Sequence, residues 1–114
     1  MSNSDTIVLV TNYGMGNGPQ GLCLKLIGKY LELLSQHNDI PAAICFYTEG
    51  VKLTVEGSPV LGQLEALSNM GVRLISCSTC LDYYGLAPKV KVGIVRGMAD
   101  ILEAQLKADK VITI

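Results

Sequence analysis

The hydrophobic and polar positions of this chain fall into two alternating kinds of segment. Short apolar runs with little polar interruption occur at "TIVLVTN" (6–12), "AAICFYT" (42–48), "VRLIS" (72–76), "VKVGIV" (90–95) and "KVITI" (110–114). Runs of this length and β-branched content predict strands, and the first two read as strands buried on both faces. Between them the spacing turns helical. From Pro19 to Gln36, Cys23, Ile27, Tyr30, Leu31 and Leu34 fall on one face, widened by Leu22, Leu26 and Leu33, with Lys25, Lys29, Glu32 and Gln36 opposite. Pro19 suits the first turn of that helix. Ser58 and Pro59 read as the cap and first residue of a second helix, whose apolar face is Leu61, Leu64, Leu67 and Met70 and whose stop is Gly71. "TCLDYYGL" (79–86) reads as a short helix or turn ending near Gly85, and "MADILEAQLKA" (98–108) as an amphipathic helix. "EGVKLTVEGS" (49–58) has no clean period and predicts no element.

Strands alternating with helices predict a parallel sheet covered on both faces. The expected fold is α/β: a flavodoxin-like, three-layer α/β/α domain with a five-stranded, mainly parallel sheet. The 114 residues suit a single domain, 1–114, of which 1–5 ("MSNSD") form a polar lead. Ligands of such sheets bind beyond the carboxyl ends of the strands. The residues expected there are 12–20, 48–52, 76–80 and 96–98.

Charge narrows the partners. Nine basic residues against ten acidic leave no basic excess for a phosphate backbone, so nucleic acid is not expected. The polar lead lacks the features of a signal peptide, and no apolar run is long enough to span a bilayer. A cytoplasmic location is expected, with no membrane association. Apolar residues make up 49% of the chain and charged ones 17%, which predicts a buried oligomer face.

Four cysteines in a reducing compartment point to core, metal or reactive thiols rather than a disulfide framework. Cys23, on a helix face, and Cys45, inside a strand, read as core. Cys77 and Cys80 are different: spaced C-x-x-C, they close a strand and open a helix. Backbone N–H groups and the helix dipole at such a junction favour thiolate, and can lower a cysteine pKa from about 8.5 into roughly the 3.5–7.5 range. Cys77, at the strand end, is the first candidate to hold a sulfur atom as a persulfide. Cys80, one helical turn on, can resolve it as a disulfide or receive its sulfur. The alternative is two small hydrophobes packed under the helix. Zinc needs four ligands, and no second pair accompanies this one; His37 reads as a surface residue. A thioredoxin-type arrangement needs a long helix and strand between its C-x-x-C and its proline, whereas Pro88 follows Cys80 closely.

"GMGNGPQG" contains Gly16, Gly18 and Gly21 in G-x-G-x-x-G spacing after a strand and before a helix. The acidic partner of a dinucleotide site is misplaced, since Asp39 precedes the second strand and Glu49 comes late. The loop therefore reads as a turn whose N–H groups can meet an anion or a partner segment. No cofactor and no metal is implied. Asn12, Gly16, Gly18, Glu49, Ser76, Ser78, Thr79 and Asp82 are candidates to line the site, with caps and turns as the competing role for Asn12, Glu49 and Asp82.

"FYTEGVKLTVEGSPVL" (46–61), "GVRLISCSTCLDYYGL" (71–86), "KVKVG" and "ADKVITI" together resemble the DsrE-like sulfur-carrier superfamily, and most of all the C-terminal domain of YedF-type proteins, described as sulfurtransferase-like proteins of selenium metabolism. The resemblance spans nearly the whole chain. It implies a DsrE-like fold, a persulfide on the cysteine that ends this strand (Cys77, with Gly85 at the family's spacing), Cys80 as the extra thiol of the YedF-like branch, and homo- or hetero-oligomers. It implies sulfur relay, or sulfurtransfer, with a donor or acceptor protein such as a TusA-like carrier. Two departures stand out. YedF-type proteins usually carry a TusA-like domain ahead of this one; here either a separately encoded partner is expected to replace it, or the covalent relay is absent. Ser78 also stands where the family's C-G-T-C run has glycine. The rival expectations are an assembly subunit without chemistry, a Cys77–Cys80 thiol–disulfide switch, and a nucleotide binder using the glycine loop.

Overall fold

A computed structural model describes residues 5–114, so the polar lead falls outside it except for Asp5. The order is β1 (Thr6–Val10), α1 (Gln20–Ser35), β2 (Ala43–Phe46), a 3-10 helix (Thr48–Thr54), α2 (Leu61–Asn69), β3 (Arg73–Cys77), α3 (Ser78–Tyr84), a short 3-10 turn (Ala87–Lys89), β4 (Ile94–Arg96), α4 (Met98–Lys107) and β5 (Lys110–Thr113). The five strands form one sheet in the order β4-β3-β2-β1-β5, and every pairing is parallel. This is the expected α/β/α architecture.

Register fixes the layers. Ile7, Ala43 and Arg73 stand in one row across the sheet and line a hollow with Ala104 and Lys107 of α4 and with Ala108 just beyond it. Thr6 and Val8 line another with Tyr30 and Leu34 of α1. Successive strand residues face opposite ways, so α1 and α4 cover opposite faces. The topology requires this. The chain steps from β1 to β4 in one direction and must return past the whole sheet to reach β5, and a right-handed crossover then puts α4 on the other side. β2 is buried at all of its residues, and β1 at all but its first, as strands covered on both faces must be.

Several boundaries differ from expectation. Pro19 is the cap of α1 rather than its first residue; its carbonyl accepts the N–H groups of Leu22 and Cys23. Ser58 does not cap α2. Its Oγ accepts the Val60 N–H in a local turn, and the helix starts only at Leu61. The apolar face of α1 is narrower than predicted: Cys23, Ile27 and Leu31 are buried, while Leu22, Leu26 and Leu33 are exposed. The fourth strand is three residues long. Val90 instead bridges Val55 in antiparallel fashion, and Gly93 stands at φ +83, where a Cβ would also sit 2.6 Å from the Leu74 carbonyl. The segment without a period is the 3-10 helix, and it buries Val51, Leu53 and Thr54.

Candidate functional site

Cys77 ends β3 and caps α3, with φ −70 and ψ 122, so the chain turns from sheet to helix at the sulfur-bearing residue. α3 runs for two turns and stops at Gly85, whose φ of +69 is the left-handed conformation a helix terminus of this kind uses. That short helix sets Cys80 one turn above Cys77. The two thiols differ in access: Cys77 is 1% exposed, whereas Cys80 is half-buried.

The other wall of the site comes from the start of the 3-10 helix. Thr48 has φ +49, a left-handed conformation that costs a β-branched residue of order 1–3 kcal/mol. Its surroundings over-determine it. Thr48 Oγ1 lies 2.6 Å from the Thr11 carbonyl and 2.7 Å from the Tyr47 carbonyl, and the Tyr47 N–H donates to Val10 O at 3.1 Å. Gly50 lies so close to Val10 that a Cβ would overlap the Val10 carbonyl. The result is that the Thr48 N–H donates to Cys80 Sγ at 3.1 Å.

Beside the thiol stands a polar cluster. The Tyr84 hydroxyl donates to Glu49 Oε2 at 2.6 Å, Lys52 Nζ pairs with Glu49 Oε1 at 2.7 Å, and the same ammonium sits 4.5 Å from the centre of the Tyr84 ring. Lys52 and Tyr84 hold the Glu49 carboxyl below its ordinary range. The Glu49 contact pushes the Tyr84 hydroxyl up to about 12. For Cys80 the net direction is upward, burial being the first cause; the Thr48 N–H pulls the other way, and the neighbouring Cys77 thiol adds to the rise. At Cys80 this runs against the expectation that the junction lowers a thiol pKa. Burial outweighs the one N–H that favours thiolate.

The expected lining residues divide. Glu49 belongs to the polar cluster. Ser78 is half-buried, and Thr79 and Asp82 are exposed on α3. Ser76 is buried at 1% exposure, and its hydroxyl meets Thr54 Oγ1 at 3.0 Å inside the core. Asn12, Gly16 and Gly18 form a separate unit: Asn12 Nδ2 donates to Gly16 O at 3.2 Å, Cys23 Sγ donates to the same carbonyl at 3.7 Å, and a Cβ on Gly18 would also meet Cys23. The glycine loop is thus folded onto the start of α1. Cys45 is fully buried in β2, and burial pushes its thiol up to about 11. Thr48, Lys52 and Tyr84 were not singled out from the sequence, although 48–52 was placed at this edge. Their signal was weak, a lone Gly50 among apolar residues of no clear period.

A hollow of about 590 Å³ between α1 and α2, lined by Lys25, Gly28, Glu32 and Gln63 among others, reaches neither thiol. Among the described residues no helix is long and apolar enough to cross a membrane.

The chain is matched over residues 6–114 by the model of the DsrE/DsrF-like family. Its fold is similar to the ychN protein of E. coli (TM-score 0.74, 19% identity, 97% of this chain and 99% of that one). It is also similar to MTH1491 of Methanobacterium thermoautotrophicum, described as of unknown function (TM-score 0.69, 19% identity, 96% and 97%). A third neighbour is BT1422 of Bacteroides thetaiotaomicron, described in the same way (TM-score 0.68, 16% identity, 96% and 95%). No curated protein sequence matches the chain.

Proposed function

Because the chain belongs to the DsrE/DsrF-like family, we propose that it works in sulfur relay, holding a persulfide on Cys77 with Cys80 as its working partner. The observation that carries this reading is the pairing of two free cysteines at the carboxyl end of β3, one enclosed and one open, with a backbone N–H on the open sulfur. In the transfer step a cysteine thiolate attacks the outer sulfur of a donor persulfide, R–S–S⁻. The donor S–S bond breaks, R–S⁻ leaves, and the cysteine keeps the sulfur as its own persulfide, with no net oxidation. Delivery to an acceptor thiolate is the same step reversed, and repeated turnover would make the protein a sulfurtransferase.

The thiols sit on an edge of the sheet beside exposed side chains, which suits a protein donor or acceptor better than a small substrate. The resemblance of the run at 71–86 to YedF-type proteins favours a TusA-like carrier as that partner; selenium as a second cargo rests on that resemblance alone and on no particular residue. Exposed apolar residues support a homo- or hetero-oligomer: Met98, Leu102 and Leu106 on α4, with Ile94 and Val95 on the edge strand β4. The interaction of the two thiols favours one other reading, a reversible Cys77–Cys80 disulfide with a potential near the cytosolic poise, roughly −220 to −320 mV.

The test is the intact mass of the reduced protein after incubation with a cysteine desulfurase and L-cysteine. Sulfur relay predicts one added sulfur atom, removed by dithiothreitol and lost in a Cys77→Ser/Cys80→Ser double variant. A loss of two hydrogens with no sulfur gained would favour the disulfide switch. Neither change would favour an assembly subunit.

A further inference from the structure

We propose that sulfur reaches this site through Cys80, not directly at Cys77, and that Thr48 is the positioning residue that holds Cys80 ready. The inference rests on the sulfur-relay reading and adds an order to it. Three observations carry it. Cys77 is 1% exposed at the junction of β3 and α3, so its sulfur cannot reach the outer sulfur of a protein donor's persulfide. Cys80 is the thiol of the pair with a solvent-facing side. A backbone N–H from outside α3 also reaches the Cys80 sulfur: that of Thr48, 3.1 Å from Sγ.

Thr48 is costly to hold in this pose. A threonine at φ +49 persists only where neighbours impose it, and here the hydroxyl contacts to Thr11 O and Tyr47 O do so. What the strained conformation achieves is to aim one N–H at one sulfur. A donor persulfide R–S–S⁻ is then attacked by the Cys80 thiolate; R–S⁻ leaves, and the sulfur stays as Cys80–S–S⁻. The Cys77 thiolate attacks the outer sulfur of that group, forms Cys77–S–S⁻ and releases the Cys80 thiolate, its proton having gone to solvent. Atoms and electrons balance in both steps, and no oxidant is needed. The Thr48 N–H steadies negative charge on Cys80 Sγ before the first step and after the second.

Inorganic polysulfide serves as donor in the test. Initial loading is followed by mass spectrometry of the tryptic peptide Leu74–Lys89, which carries both cysteines. Cys80→Ser slows loading by about tenfold or more, while Cys77→Ser stays within about twofold of wild type and keeps the sulfur on Cys80. Cys77→Ala repeats the test should the serine variant fail to fold. The reverse pattern, fast loading of Cys80→Ser and none of Cys77→Ser, overturns the inference and leaves sulfur relay standing. No loading in any form overturns both.

Thr48 is tested by a readout that mere stability would not move, the pH profile of iodoacetamide reaction at Cys80. Thr48→Val, lacking the hydroxyl clamp, moves the midpoint up by about one pH unit, and Thr48→Ser restores it. An unchanged midpoint in Thr48→Val removes Thr48 from the account.

Discussion

Two strand-to-helix junctions of this molecule carry a cysteine at the carboxyl edge of the sheet, and they treat its sulfur in opposite ways. Between β1 and α1, Cys23 Sγ donates to the Gly16 carbonyl at 3.7 Å, and Gly14 presses on the same residue. This sulfur is closed in by its own loop, and Cys23 is buried. Between β3 and α3, Cys80 Sγ accepts the Thr48 N–H at 3.1 Å and keeps an open side. A sulfur that accepts is helped toward thiolate. Position at the edge is common to both junctions. What separates them is the polarity of one hydrogen bond, and hence which loop lies across the sulfur: a flexible glycine turn that folds back, or a strained threonine delivered by the neighbouring strand.

The largest expected effect breaks the second junction alone. Gly50→Ala puts a methyl group into the Val10 carbonyl, forces the 3-10 helix away from β1 and carries Thr48 off Cys80. It should destabilise the fold by about 3 kcal/mol in urea unfolding and slow Cys80 alkylation in the protein that remains folded. The matching change at the first junction is Gly14→Ala. A Cβ there, at φ +130, would lie 2.7 Å from Cys23 Cβ. It should cost about 2 kcal/mol and leave Cys80 chemistry unchanged, so the two variants separate a structural loop from a working one.

A smaller effect sharpens the picture of the cluster beside Cys80. The Glu49 carboxylate holds the proton on Tyr84, whose hydroxyl ionises only at about 12. Glu49→Gln should bring that ionisation down toward the ordinary 10.0 in an ultraviolet titration of tyrosinate. The sign for stability follows. A group raised in the fold contributes stability below its unfolded pKa and loses it as pH rises through about 12. For Glu49, lowered in the fold, the contribution is present above its unfolded pKa and lost as pH falls through the folded value. Both side chains face solvent, so each contribution is small.

Much of the fold was legible because its strands are unbroken apolar runs, and strands covered on both faces must be. Cys77 and Cys80 were legible as a pair at a strand end for the same reason. What the sequence left hidden is tertiary. Leu22, Leu26 and Leu33 widen the helical stripe of α1, yet the width of the covered face depends on how α2 and the sheet sit, and all three are exposed. Ser58 and Pro59 carry a correct local signal for a helix start, but a turn used the Ser58 oxygen first. Val90 and Val92 look like strand because both are needed inside, one bridging Val55 and one buried. Thr48 was hidden most deeply. Nothing in T-E-G-V-K predicts a left-handed threonine, because the strain is imposed by Thr11 and Val10, residues distant in sequence. The ranking of the two thiols was hidden likewise, since access is decided by packing and not by spacing.

The most direct test of the contrast is competitive alkylation of all four cysteines in one native sample, with isotope-coded iodoacetamide and peptide readout. The account predicts that Cys80 reacts first, by about tenfold or more over Cys77 and Cys23, and that Cys45 reacts no faster than the protein unfolds. Reaction of Cys77 or Cys23 ahead of Cys80 would contradict it.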